Sequence, residues 1–123
     1  MSDRNRRGAG ADAEQFAARW LRDRGLRLIA RNHHCRFGEL DLVMLDGTTL
    51  VVIEVRYRGS GARVRALESI TTTKQSRIIQ ATRHLLMRYP KYARRAVRFD
   101  VLAIDELADT QRQVHWIKSA FDA

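Results

Sequence analysis

The chain has a single cysteine, Cys35, so it cannot close an internal disulfide, and that fits a reducing compartment. No apolar run approaches the length of a membrane span. The first ten residues, Met1 to Gly10, are basic and contain glycine but hold no apolar core, which excludes a secretory signal. These absences describe a cytoplasmic protein with no membrane association. No repeat, low-complexity tract or linker interrupts the sequence. Its 123 residues therefore suit one domain over residues 11–123, behind a disordered basic N-terminus over residues 1–10.

Charge of one sign is missing from one stretch and nearly missing from the next. Phe37 to Glu54 has no basic residue and four acids, Glu39, Asp41, Asp46 and Glu54. Val55 to Phe99 has twelve basic residues against one acid, Glu68. A purely acidic block thus lies inside a chain of net charge +9. Basic surface of this density attracts polyphosphate by counterion release, so nucleic acid is the preferred partner over a merely solvated face or an acidic membrane.

The hydrophobic pattern places these charges on elements. Ala13, Phe16, Ala17, Trp20 and Leu21 recur at helical spacing, which predicts a helix over Ala11–Arg24 with Gly25 as its stop. Glu14 lies one step from that stripe and borders its buried face. A strand is predicted over Leu26–Asn32, followed by a polar loop to Phe37. Gly38–Leu45 and Leu50–Arg56 form two strands about the turn Asp46-Gly47-Thr48-Thr49. Tyr57–Leu67 reads as an arginine-containing loop, and Thr72–Tyr89 as a second helix stopped by Pro90. Strands over Ala96–Ile104 and, more weakly, Gln113–Ile117 complete a mixed α/β domain. Trp20, Trp116, Phe16 and Phe121 fall in apolar patterns and read as core.

Within the hairpin, one face carries Leu40, Leu42, Met44, Val51, Ile53 and Val55 and should be core. The other is apolar near the turn and charged at its far end, with Glu39, Asp41, Glu54 and Arg56. If Leu45 pairs with Leu50, Asp41 faces Glu54 directly, whereas a two-residue loop would set Glu39 against Glu54. Either register opposes carboxylates across two strands, which destabilises a sheet unless something cationic compensates. Residues i and i+2 of a strand share a face about 6.5 Å apart, so Glu54 and Arg56 point the same way. Hard carboxylates so close together suit Mg²⁺ or Mn²⁺.

The runs Gly38-Glu39-Leu40-Asp41-Leu42-Val43, Val51-Val52-Ile53-Glu54-Val55-Arg56-Tyr57-Arg58 and Lys74-Gln75-Ser76-Arg77 resemble the YraN family. So do Gly10-Ala11-Asp12-Ala13-Glu14 and Arg98-Phe99-Asp100-Val101. That family is regarded as a member of the PD-(D/E)xK nuclease superfamily, similar to archaeal Holliday-junction resolvases. The resemblance implies a restriction-endonuclease-like fold, a central mixed β-sheet flanked by helices. It implies Glu14, Asp41 and Glu54 as ligands of Mg²⁺ or Mn²⁺, with Arg56 at the superfamily's lysine position. Arginine stays charged and cannot act as a base, so Lys74 is the alternative catalytic cation.

The expected activity is metal-dependent endonucleolytic hydrolysis of DNA, branched or damaged, with DNA favoured over RNA. Arg58, Arg63, Arg65, Lys74 and Arg77 are candidates for backbone contact, and Tyr57 for base stacking. Symmetric cutting of two strands would need a homodimer. The alternatives are a non-catalytic nucleic-acid-binding protein on a nuclease fold and an RNA- or ribosome-associated adaptor. A zinc site at His33-His34-Cys35 is disfavoured, because only His84 and His115 remain to complete the four ligands of a structural site.

Overall fold

The computed structural model describes the backbone of residues 3–59, 70–106 and 112–123, and the side chains of residues 12–57, 70–105 and 112–123. In chain order the elements are α1 (Asp3–Arg22), β1 (Arg27–Cys35), β2 (Gly38–Asp46), β3 (Thr49–Gly59), α2 (Thr72–Arg88), a 3₁₀ turn (Pro90–Tyr92), β4 (Val97–Glu106) and β5 (Arg112–Phe121). The five strands form one sheet in the order β1-β2-β3-β4-β5. Neighbours are antiparallel except β3 and β4, which are parallel and joined through α2. This is the α/β architecture expected from the pattern. Among the described residues, no helix is long and apolar enough to cross a membrane.

Among the described residues, each face of the sheet is covered by one helix. Ala13, Ala17, Ala18 and Leu21 of α1 pack on Leu42, Met44, Val51, Ile53, Leu102 and Ile104. Ile78, Ala81 and Leu85 of α2 pack on Val43, Leu45, Leu50, Val52, Phe99 and Val101. The central strands are therefore buried on both sides, which explains their nearly unbroken apolar sequence. Trp20 and Trp116 are partly buried against the first core and meet edge to face at 6.0 Å. Phe121 stacks on Phe99 at 4.9 Å against the second.

Helix α1 begins at Asp3, ahead of the Ala11 start that the apolar stripe indicates. Its end is as expected. Gly25 has φ +97°, its N–H donates to the Arg22 carbonyl at 2.9 Å, and Leu26 N–H donates to the Leu21 carbonyl at 3.2 Å. This is the Schellman arrangement that satisfies the last carbonyls of a helix. Strand β1 continues three residues past Asn32, so the expected loop is largely strand. His33 pairs with Leu40, His34 with Glu39 and Cys35 with Gly38. β1 has a neighbour on one side only, which lets an edge strand carry polar residues that read as loop.

The hairpin adopts the register in which Leu45 pairs with Leu50 and Val43 with Val52, and Asp46 and Thr49 pair as well. Gly47, at φ +61°, supplies the turn conformation that residues with a Cβ resist. One expectation fails here. Leu40 does not share the α1-side core with Leu42 but joins the α2-side core. The alternation breaks between the two residues, where β2 ceases to pair with β3. Strand β3 extends through Gly59, so Tyr57, Arg58 and Gly59 are strand at the backbone, and the rest of the expected loop lies outside the described residues.

A buried polar network closes the other end of the sheet. The carboxylate of Asp100, fully buried, accepts from Arg98 Nε at 3.0 Å, Trp116 Nε1 at 2.9 Å and Ser119 N–H at 2.9 Å. Arg98 Nη2 also donates to Asp46 at 3.1 Å. The Arg98-Phe99-Asp100 run is thus a structural tie between β4, β5 and the β2–β3 turn.

Candidate functional site

The acidic residues gather where β2 and β3 part. Backbone pairing between these strands ends at Leu42 and Ile53. Beyond that point the Asp41 side chain takes over, and its Oδ2 accepts from the Val55 N–H at 2.9 Å. A carboxylate thus bridges the fork and is held against β3. The two helices bring the remaining groups from either face. Glu14 reaches Asp41 from α1, and carboxylate oxygens of Glu14, Glu39 and Asp41 all lie within 4.8 Å of one another. Glu54, only 3 % exposed, adjoins Asp41 from β3 on the side covered by α2.

Two cations stand on that second side. Arg56 Nη2 lies 3.8 Å from Glu54 Oε1, and Lys74 Nζ lies 4.0 Å from the same oxygen. Both separations exceed a hydrogen bond, so neither cation neutralises Glu54 in a tight pair. Among the described residues, Glu14 Oε2, Glu54 Oε2, Arg56 Nε and Arg56 Nη2 are buried and have no hydrogen-bond partner. Unsatisfied buried polar atoms are costly, and their concentration at one locus marks a place shaped for something other than protein.

The electrostatics follow from this crowding. Burial, then the charge of Asp41, raises the Glu14 carboxyl to about 7, with a hydrogen bond from Asn32 pulling the other way. Burial and the same Asp41 charge push Glu54 up to about 8, against the opposing pull of Arg56 and Lys74. Two carboxyls near neutrality around a third are the condition a divalent cation relieves, and an all-oxygen donor set fits Mg²⁺ or Mn²⁺.

Helix α2 aims its N-terminus at this region. Thr71 caps it, its side chain accepting from Lys74 N–H at 3.2 Å, and no acid occupies the first turn. Lys74 and Arg77 lie at this end. A Cβ at Gly38 would sit 3.9 Å from the Arg77 Cβ, and Gly38 itself has φ +140°, so glycine is needed there for its backbone. Tyr57 is 38 % exposed at the end of β3. Arg63 and Arg65 lie outside the described residues, as does the side chain of Arg58.

Glu14, Asp41, Glu54, Arg56 and Lys74 therefore meet at one place. Two participants were not among the expected ligands. Glu39 joins the acidic cluster, two residues from Asp41, while its Oε2 lies 3.3 Å from His34 Nδ1. The strand alternation, which sets Glu39 on the face of Asp41, was the available signal. Asn32 faces Asp41 across β1 at φ +49° and bonds Glu14. Only the tolerance of asparagine for that conformation hinted at it.

A family model described as "Uncharacterised protein family UPF0102" matches residues 13–104. A UPF0102 protein of Pseudomonas fluorescens is 46% identical over 123 residues, covering 100% of both chains. One of Alcanivorax borkumensis is 45% identical over 120 residues, 96% of this chain and 94% of its own. One of Nitrosococcus oceani is 44% identical over 121 residues, 98% of this chain and 97% of its own. The matched span includes all five of Glu14, Asp41, Glu54, Arg56 and Lys74.

Proposed function

For this chain, which belongs to the UPF0102 family, we propose the function of a divalent-metal-dependent nuclease acting on DNA, built on a restriction-endonuclease-like fold of the YraN and PD-(D/E)xK type. The observation that carries the reading is the fork between β2 and β3. There Glu14, Asp41 and Glu54 come together from three elements, and among the described residues Glu14 Oε2 and Glu54 Oε2 are buried without a hydrogen-bond partner.

In this reading Glu14, Asp41 and Glu54 hold Mg²⁺ or Mn²⁺, with Glu39 at the solvent side. When bound, the cation supplies Lewis-acid neutralisation of a phosphodiester. The chain's own groups do the rest. Arg56 and Lys74 face Glu54 and stabilise the negative charge that grows on the phosphoryl oxygens as water adds and the 3′ oxygen leaves. Lys74 is the one of the two that can exchange a proton, since arginine remains charged. Arg77, near the N-terminal end of α2, suits the neighbouring phosphate. Arg58, Arg63 and Arg65 are the further candidates, by sequence, for contact with the nucleic-acid backbone, and Tyr57 offers a ring for stacking.

The test is incubation of purified protein with linear, nicked, flapped and four-way DNA in Mg²⁺ and in Mn²⁺. Weak cleavage that disappears in Asp41→Asn and in Glu54→Gln, with metal-free DNA binding retained, is the expected result. Intact substrates in both metals, despite binding, would refute catalysis. The second reading is a DNA-binding protein that keeps the fold without hydrolysis, and the observation favouring it is Arg56 at the lysine position. Arg56→Lys divides the two. Faster cleavage by the variant marks a weakened active site, and no cleavage by either protein supports the binding protein.

A further inference from the structure

A second group of metal-binding side chains lies apart from the carboxylates. His33 and Cys35 occupy alternate positions of β1 and so share a face, the one turned toward α2. His84 comes from the middle of α2, between the buried Ala81 and Leu85. One ligand atom from each of the three lies within 4.8 Å of the other two. His84 Nδ1 and His33 Nε2 are 3.5 Å apart, the rings are 5.6 Å between centroids, and Phe37 meets the His84 ring edge to face at 6.5 Å. All three residues are half-buried.

The separation of the two imidazole nitrogens is close to what a tetrahedral ion requires, and the thiol lies within reach of both. Two imidazole nitrogens each about 2.05 Å from Zn²⁺ stand about 3.3 Å apart at the tetrahedral angle, and a nitrogen and a thiolate sulfur about 3.5 Å apart. The nitrogen pair is already near its value. As a hydrogen bond the same contact is at the outer limit, so giving it up costs little. The donors also exclude the cation of the acidic site, because two imidazoles and a thiolate suit a borderline or soft ion and not Mg²⁺.

We propose that His33, Cys35 and His84 form a three-ligand Zn²⁺ site, with the fourth position open to solvent, that ties the edge strand β1 to helix α2. Binding releases the Cys35 thiol proton. The neutral imidazoles keep theirs, moved to His33 Nδ1 and His84 Nε2, so that the two facing nitrogens both present lone pairs. Three side chains from two elements make a clip across the α2-side core, one residue along β1 from the Asn32 that bonds Glu14. The site needs no contribution from Asp41 or Glu54 and stands whether or not the chain is a nuclease.

The experiment titrates the full chain with Zn²⁺ against a chromophoric chelator and repeats it with Co²⁺. One zinc per chain is expected, with Co²⁺ giving the visible bands of a tetrahedral ion and a near-ultraviolet thiolate charge-transfer band. Cys35→Ser and His84→Gln should each weaken binding at least about a hundredfold, the upper end of what loss of an outer-shell partner alone costs. Asp41→Asn should leave it unchanged, as should excess Mg²⁺. A measurement on the unmutated chain guards against misfolded variants. Zn²⁺ should slow alkylation of Cys35, the single thiol, by iodoacetamide. Substoichiometric zinc, binding indifferent to Cys35→Ser, or an alkylation rate unmoved by zinc overturns the site.

Discussion

Removing the charge of Asp41 should make the protein more stable, although it sits at the centre of the site. The carboxylate accepts from the Val55 N–H at 2.9 Å, and the amide oxygen of asparagine can accept that bond in the same place. What Asp41→Asn loses is repulsion. Two unit charges at the 4.8 Å that bounds the Glu14, Glu39 and Asp41 oxygens repel by about 3 kcal/mol at an effective dielectric constant near 20. Half-exposed Glu14 is screened by solvent, which reduces its share to about 1 kcal/mol. Buried Glu54 adds about as much. The variant should therefore gain about 2 kcal/mol at pH 8, or roughly 8 °C in melting temperature for a chain of this size.

The gain depends on pH in a direction the structure fixes. Glu14 and Glu54 titrate near 7 and 8 when folded, against 4.5 in the unfolded chain. The folded protein holds protons that the unfolded chain has released. Stability of the metal-free protein therefore falls as pH rises from about 4.5 through 8. At pH 5 Glu14 and Glu54 keep their protons, Asp41 no longer repels those two carboxyls, and the variant should gain little. Urea denaturation in chelator at pH 5, 6.5 and 8 measures this directly. A variant less stable than the parent at pH 8, or an offset equal at pH 5 and pH 8, would refute the account of the cluster as stored repulsion. Added Mg²⁺ should stabilise the parent more than the variant, since the variant has already lost what the cation relieves.

Asp100→Ala should cost about 3–5 kcal/mol in equilibrium unfolding, because it leaves Arg98, Trp116 and the Ser119 N–H facing a void. Leu42→Ala, at a fully buried position under α1, should cost about 2–5 kcal/mol by the same measurement. Thr71→Ala removes the cap of α2 and should cost about 1 kcal/mol. In anisotropy titrations of duplex DNA, Lys74→Ala and Arg77→Ala should each lower the slope of log affinity against log salt by about 1, and an unchanged slope would remove them from the phosphate-contacting surface.

The hairpin was legible because its signal is local. Period-two alternation and the Asp46-Gly47 turn narrowed the register to two choices, either of which opposes carboxylates, and the order of helical and alternating patterns indicated a mixed α/β chain. The misreadings share a cause, which is that local pattern assumes an unbroken ladder. Leu40 went to the wrong core because the ladder stops at Leu42, a fact no residue type announces. The tail of β1 looked like a loop because an edge strand can carry Asn32 and His34 exposed to solvent. His33 and Cys35 were visible as a pair, but their partner His84 lies 51 positions from His33, and only tertiary packing of α2 brings it there. The helix faces told the buried side of α2 correctly and said nothing about which strand it would cover.

The parallel pairing of β3 with β4 has a consequence for how the chain is made. Strands β1, β2 and β3 are successive neighbours, and α1 precedes them, so three of the five strands and one face of the sheet can assemble from sequence-local contacts alone. Val52 must wait for Phe99, across the whole of α2, and closing that long loop is slow. On a ribosome, Glu14, Asp41 and Glu54 have all emerged before β4 exists. Until then β3 has an open edge beside an uncompensated knot of carboxylates, and Lys74, which α2 carries in, is the first cation to reach Glu54 from outside the hairpin. Arrival of α2 and β4 thus both seals the edge and quiets the charge, which makes the crossover the step at which a half-formed sheet becomes committed to this fold.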